Sequence, residues 1–265
     1  MDSISETTRQ VQQKMQTSQS FSDQTEERRP CPHGKMVLVV ADGRLRLSEC
    51  PECCMENEQR KKEATFIKER IARKYEISAE IGSKVPKRFV GKKTSNYIAK
   101  TDQQKRVLSF CEKYISNFET VGQQGVSIVF CGKPGTGKTH LSYAIANEIG
   151  QGHLLAVVKT ASDITSSIKA AYRSDEPGKT PEYITSLYTE TDLLVIDEVG
   201  VQVSSEAEKR IFFDVMNKRY EDMKPTILVS NLSKDELTEF IGERVMDRLK
   251  EGGGVIFAFD WESYR

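Results

Sequence analysis

Three stretches of the 265-residue chain predict an α/β fold with a parallel sheet flanked by helices. The first is the apolar run Val126-Ser127-Ile128-Val129-Phe130-Cys131. It is followed by Gly132-Lys133-Pro134-Gly135-Thr136-Gly137-Lys138-Thr139, and then by His140-Leu141-Ser142-Tyr143-Ala144-Ile145-Ala146 with helical spacing. The second is Leu193-Leu194-Val195-Ile196, which ends in Asp197-Glu198, and the third is Thr226-Ile227-Leu228-Val229-Ser230-Asn231. Short continuous apolar runs suit strands covered on both faces, and the helical patterns between them supply the crossovers that parallel strands need.

The glycine-bearing stretch fits G-x-x-x-x-G-K-[ST], the phosphate-binding loop of nucleotide triphosphatases, in its required strand–loop–helix context. Glycines let the backbone curl until its N–H groups face phosphates, and the helix N-terminus adds its dipole. Residues 132–140 are therefore the expected ATP site. Lys138 reaches the β- and γ-phosphates, and Thr139 holds Mg²⁺ through its hydroxyl. A buried parallel strand delivers carboxylates at its C-terminal edge. Asp197 is thus expected in the Mg²⁺ shell, directly or through water, and Glu198 orients and deprotonates the attacking water. Asn231 would place a neutral amide beside these carboxylates, where it positions the water or senses the γ-phosphate. The competing reading of Asn231 is a cap for the next helix.

Composition bounds the rest. Charged residues make up 29%, hydrophobic ones 37%, and the formal net charge is zero, as in an ordinary soluble protein. No run approaches the roughly 18 apolar residues of a membrane span, and the polar N-terminus lacks a signal-peptide core, so a cytoplasmic location is expected. Six cysteines in such a chain read as thiols or metal ligands rather than disulfides. Zero net charge hides an asymmetry: residues 56–93 hold twelve Lys/Arg against six Asp/Glu.

In order, residues 1–29 are polar and read as a disordered or loosely helical tail. Residues 30–55 form a zinc-binding element. Cys31-Pro32-His33 and Cys50-Pro51-Glu52-Cys53-Cys54 flank a short hairpin with a turn at Asp42-Gly43. So small a segment needs a metal for stability, and Cys31, His33, Cys50 and Cys53 satisfy tetrahedral Zn²⁺, with Cys54 able to replace Cys53. Four protein ligands leave no open position, so the role is structural. Residues 56–85 form a charged helical connector with Ala64, Ile67, Ile71 and Tyr75 in a narrow stripe, which packs on the main domain or meets a partner helix. The ATPase domain occupies 86–265. It opens with an amphipathic helix over Thr101–Phe118, and Cys111 and Cys131 read as buried small hydrophobes.

Beyond the loop helix, a strand at 154–159 precedes helices through Ile164, Ile168 and Tyr172 and around 183–188. A helix over 206–220 comes before the third run. A last helix carries Gly242-Glu243-Arg244-Val245-Met246-Asp247-Arg248-Leu249. Arg244 and Arg248 share one face; in subunits packed side by side, an arginine here reaches a neighbour's γ-phosphate. The alternative is a salt-bridge ladder with Glu243 and Asp247. A strand at 255–259 ends the fold, with Trp261 and Tyr264 pinning the C-terminus.

Residues 132–141, Leu193-Leu194-Val195-Ile196-Asp197-Glu198-Val199-Gly200-Val201-Gln202, residues 242–249 and the closing Phe259-Asp260-Trp261-Glu262-Ser263-Tyr264-Arg265 together resemble the DnaC family of replicative-helicase loaders. The resemblance covers roughly residues 86–265. It implies an AAA+ ATPase that binds a DnaB-type replicative helicase, assembles as a homo-oligomeric spiral and places helicase on single-stranded DNA. It puts the arginine finger in the string holding Arg244 and Arg248, without choosing between them. It also lines a single-stranded DNA path with the helices before Asp197, where Lys169, Tyr172 and Arg173 are the candidates. The chain is expected to lack a full helical lid. Its front departs from the cellular loader, and a zinc element of this kind fits phage loader-like proteins; the position of residues 29–80 and their uncovered stripe make that segment the expected helicase contact. Two other classes remain: an IstB-like transposition helper acting on duplex DNA with a transposase, and a non-hydrolysing zinc-containing DNA adaptor.

Overall fold

The computed structural model describes residue 33, the backbone of 37–41 and 44–48, and residues 50–82, 85–151, 154–201 and 205–264. The expectations for residues 1–29, for Cys31 and for the Asp42-Gly43 turn lie outside the described residues. Contacts divide the chain into two units, Met1–Ile67 and Lys68–Arg265.

In the first unit, β1 (Val37–Ala41) and β2 (Arg44–Ser48) pair antiparallel, with Val37 opposite Ser48 and Ala41 opposite Arg44. Helix α1 (Pro51–Ile81) begins directly after Cys50. The second cysteine group is therefore the opening turn of a helix rather than a separate knuckle before one. Pro51 at the first helical position costs no hydrogen bond there, Glu52 favours the positive end of the helix dipole, and the Cys50 carbonyl accepts from Cys54 N–H at 2.8 Å.

The second unit contains a five-stranded, fully parallel sheet in the order β4-β5-β6-β3-β7. Its strands are β3 (Ile128–Gly132), β4 (Ala156–Thr160), β5 (Leu193–Asp197), β6 (Thr226–Val229) and β7 (Val255–Phe259). The period of two along a strand sorts the core into two faces. Ile128, Phe130, Leu193, Val195 and Ile227 face α2 (Asp102–Ser116) and α4 (Lys138–Ile149), where Cys111, Leu141 and Ile145 are buried. A short helix, α3 (Phe118–Gln123), links α2 to β3. Val129, Cys131, Leu194, Ile196 and Leu228 face α5 (Ala161–Ala171), α6 (Pro181–Thr189), α7 (Glu206–Glu221), α8 (Lys234–Ile241) and α9 (Glu243–Lys250). Cys111 and Cys131 are both fully buried, as small hydrophobes should be.

Local chemistry fixes most helix starts. Thr101, Thr160, Thr180, Ser205 and Ser233 accept the third backbone N–H of the following helix, and Gln104, Asp163, Glu208 and Glu236 complete reciprocal capping boxes. Helix α4 differs. Gly137 precedes it at φ +99° with no capping side chain, so its first N–H groups are left for a ligand.

Residues 68–81 of α1 belong to this unit, but not through the predicted stripe. Ile77 and Ile81 are buried, whereas Ile67, Ile71 and Tyr75 are exposed. The polar contacts are Lys74 Nζ to Asp192 at 2.6 Å and Arg73 Nε to Glu190 at 2.7 Å. Behind them Arg219 is completely buried. It donates to Thr226 Oγ1 at 2.9 Å and to the carbonyls of Tyr188, Thr189, Thr191 and Pro225 at 2.8, 3.2, 3.1 and 2.6 Å. Burial pulls its pKa down to about 9. Arg219→Met would strand four buried carbonyls, so urea denaturation should report a loss of roughly 3–5 kcal/mol. No helix among the described residues is long and apolar enough to cross a membrane.

Candidate nucleotide-binding site

The sheet aligns the predicted residues along one edge. β3, β5 and β6 are neighbours and parallel, so Gly132, Asp197 and the residues after Val229 emerge together at their C-terminal ends. Gly132, Gly135 and Gly137 all take positive φ, at 112°, 76° and 99°. A Cβ on Gly132 would lie 2.6 Å from the Phe259 carbonyl oxygen, so the loop and β7 approach as only glycine allows.

Lys138 is almost fully buried, and its Nζ donates to the carbonyls of Gly132 and Lys133 at 2.7 and 2.6 Å. Thr136, in the middle of the loop, donates from Oγ1 to the Lys133 carbonyl at 2.7 Å. Burial depresses the Lys138 pKa to about 8, against the opposing pull of Asp197. A bound phosphate favours the ammonium, so above pH 8 binding must take up a proton. ATP affinity should be flat below about pH 8 and then weaken by up to about tenfold per pH unit. Calorimetry in buffers of different ionisation enthalpy should detect proton uptake at pH 9; equal affinity at pH 7 and 9 would contradict this.

Asp197 accepts a hydrogen bond from the Thr139 hydroxyl and one from Glu198 N–H at 2.8 Å, while burial raises its pKa. A hydroxyl and a carboxylate in contact form the hard-oxygen pair that suits Mg²⁺. Glu198 is exposed at φ +57°, a left-handed conformation that side chains other than glycine rarely adopt. The loop behind it is tied to β6 by Val199 N–H to the Val229 carbonyl (3.0 Å) and Ser230 Oγ to the Val199 carbonyl (2.6 Å). Ser230 is buried, and Asn231 follows it, exposed, at the same edge.

Several contacts around the loop have no signal in the sequence. His140 Nε2 lies 2.9 Å from Asn96 Oδ1 and 3.3 Å from the Lys93 carbonyl. A carbonyl only accepts, so Nε2 carries the proton. Burial lowers the His140 pKa, which keeps the ring neutral. The Tyr97 hydroxyl donates to the Thr136 carbonyl at 3.4 Å, and Trp261 and Tyr264 also contact the phosphate loop.

The other predicted residues lie elsewhere. Arg248 donates to Asn217 and stacks over the Tyr220 ring at 4.8 Å. Arg244, one turn earlier, is exposed and makes no ion pair among the described residues, while Asp247 pairs with Lys250 at 3.0 Å. The two arginines line one open depression with Tyr220, Glu243 and Glu251. Lys169 on α5 is held by Glu208 at 2.9 Å, whereas Tyr172 and Arg173, just past its end, are exposed.

In the first unit, one ligand atom each from His33, Cys50 and Cys53 lies within 4.8 Å of the others. Cys53 Sγ is 3.5 Å from His33 Nδ1, close to the ~3.6 Å edge that tetrahedral Zn–S and Zn–N bonds define. His33 Nε2 faces Glu56 at 3.4 Å, the carboxylate–imidazole arrangement that orients a metal-binding ring. Two thiols and an imidazole fit Zn²⁺, with Cys53 rather than Cys54 in the cluster. Cys31, the expected fourth ligand, is outside the described residues.

A glycine loop closing on a buried lysine, beside a strand ending in Asp-Glu, defines an AAA+ P-loop ATP-binding domain. The chain belongs to the IstB/DnaC family of such proteins: the profile of the IstB-like ATP binding protein family matches residues 95–261. The replicative helicase loader DnaC of Escherichia coli (strain K12) is 37% identical over 170 residues, spanning 64% of this chain and 67% of the relative. DnaC of Buchnera aphidicola subsp. Baizongia pistaciae is 34% identical over 64% of this chain and 68% of its own length. Among solved structures, the crystal structure of the DnaC helicase loader matches with a TM-score of 0.58 at 22% identity, covering 65% of this chain and 99% of that one. That of DnaI matches at 0.55 and 18%, covering 69% and 95%. At these identities the two structural matches speak for the fold alone.

Proposed function

We propose that this protein is an ATP-dependent loader of a DnaB-type replicative helicase, acting in DNA replication in the cytoplasm. The observation that carries the reading is a complete Lys138–Thr139–Asp197–Glu198 set in a chain 37% identical over 170 residues to a helicase loader.

In this reading the loop amides and Lys138 grip the β- and γ-phosphates, and Thr139 and Asp197 hold Mg²⁺. The ion neutralises phosphate charge when bound. Glu198 takes the proton of the attacking water, and Asn231 orients that water. Arg248, already held in place by Asn217 and Tyr220, completes the site of a neighbouring copy in a spiral, with Arg244 beside it. Tyr172 and Arg173 offer a stacking face and a cation to single-stranded DNA, and Lys169 joins them once released from Glu208. ATP binding then favours the gripping of DNA, and hydrolysis favours release.

The domain assignment is a disordered tail over 1–29, a zinc element over 30–55, a helical connector over 56–85 and the ATPase domain over 86–265. Zn²⁺ held by Cys31, His33, Cys50 and Cys53 would stabilise the small first element. The exposed Phe66, Ile67, Ile71 and Tyr75 on α1 suit an apolar contact with the helicase.

The test is a pull-down of DnaB-type helicase on the full-length chain, with and without ATP and single-stranded DNA. Wild type should retain helicase, and Ile67→Asp/Ile71→Asp should lose it with ATP binding intact. The family's IstB-like description favours a second reading, a transposition helper. Absence of helicase in every lane, together with ATPase stimulation by duplex DNA and a transposase, would establish that reading instead.

A further inference from the structure

A phosphate loop that turns its N–H groups inward turns its carbonyls outward, and those carbonyls need donors of their own. Two of the donors come from the far end of the chain. Trp261 Nε1 donates to the Thr136 carbonyl at 3.0 Å, and the Tyr264 backbone N–H donates to the Gly135 carbonyl at 2.9 Å. The Phe259 carbonyl accepts from Lys133 N–H at 2.8 Å, so three successive points of the closing segment meet the loop backbone. The Trp261 ring lies 4.5 Å from that of Phe259, which anchors the indole while its N–H points outward to the loop. Tyr264 is itself held by its hydroxyl, which donates to the Ile98 carbonyl at 2.7 Å. Trp261 is half-buried against the core beside Phe259, whereas Tyr264 is exposed, so core packing does not account for the placement of Tyr264.

We propose that residues 259–264 form a strap whose Trp261 indole and Tyr264 amide are positioning groups for nucleotide binding. They fix the outward carbonyls of Gly135 and Thr136 and thereby aim the loop's N–H groups at the phosphates. The Trp261 indole and Tyr264 amide donate to the loop carbonyls of Thr136 and Gly135 rather than to the water-activating carboxylates. Loss of the strap therefore weakens ATP and ADP alike, raising KM and leaving kcat unchanged. Trp261 is also the only tryptophan in the chain, so its emission reports the state of the loop.

The inference rests on the ATP-site reading, and the experiment separates the two. Calorimetry on the full-length wild type comes first, since no ATP binding there overturns the site and the strap together. With binding established, Trp261→Phe keeps the ring and removes the donor. It should raise KM for ATP about three- to tenfold, with kcat within about twofold of wild type and an unchanged melting temperature. Wild-type emission should change in step with the calorimetric isotherm. An unchanged KM in a folded Trp261→Phe protein overturns the strap while leaving the ATP site standing. Should that variant not fold, Tyr264→Pro removes the second donor. Wild-type KM in Tyr264→Pro, with Trp261 emission flat to saturating ATP, is then the overturning result.

Discussion

Arg248→Ala should lower the ATPase rate of the assembled protein by about 10³-fold or more, while ATP affinity stays near wild type. The physical case is pre-organisation. The Arg248 guanidinium is held by Asn217 and lies over Tyr220, which leaves further N–H donors of its planar fork for an incoming phosphate. Arg244 is exposed and unanchored, so Arg244→Ala should cost far less. A mixing assay separates a role across the interface from a role within the subunit. Arg248→Ala supplies an intact pocket, Glu198→Gln supplies an intact arginine, and the mixture should recover activity that neither variant shows. If Arg244→Ala is dead and Arg248→Ala is active, the assignment moves one helical turn back.

Glu198→Gln should reduce turnover by about 10²–10⁴-fold and leave the protein loaded with ATP. The amide keeps the size and hydrogen bonding of the side chain but cannot accept the proton of the attacking water. Asp197, Thr139 and Lys138 are untouched, so nucleotide remains bound. Single-turnover hydrolysis with radiolabelled ATP measures the effect. Turnover at the wild-type rate would remove Glu198 from the chemistry and favour a non-hydrolysing DNA adaptor.

The nucleotide edge was legible in the sequence because its signals are local. A strand, a glycine loop and a helix lie within about twenty consecutive residues, and the Asp-Glu pair closes an unbroken apolar run. What escaped depends on chain segments brought together from a distance. Arg219 sits in a helix rich in charge and reads as a surface residue. Its burial follows only once the ends of α6 and β6 present their carbonyls to it. The helical period along residues 56–80 identifies an apolar stripe but not which turns of it are covered, and the burial falls at Ile77 and Ile81 instead. Trp261 meets the phosphate loop because β7 lies directly beside β3, and that neighbour relation is a property of strand order rather than of either strand. The grouping of His33, Cys50 and Cys53 was legible by residue type, whereas the helix starting at Pro51 has no apolar period in its first turns to announce it.

The left-handed backbone at Glu198 carries an evolutionary consequence. Glycine would accept that conformation without the steric penalty of about 1–2 kcal/mol borne by other residues. Selection for heat resistance alone would therefore erase the glutamate, and lineages adapting to hot environments must find their extra robustness at other positions.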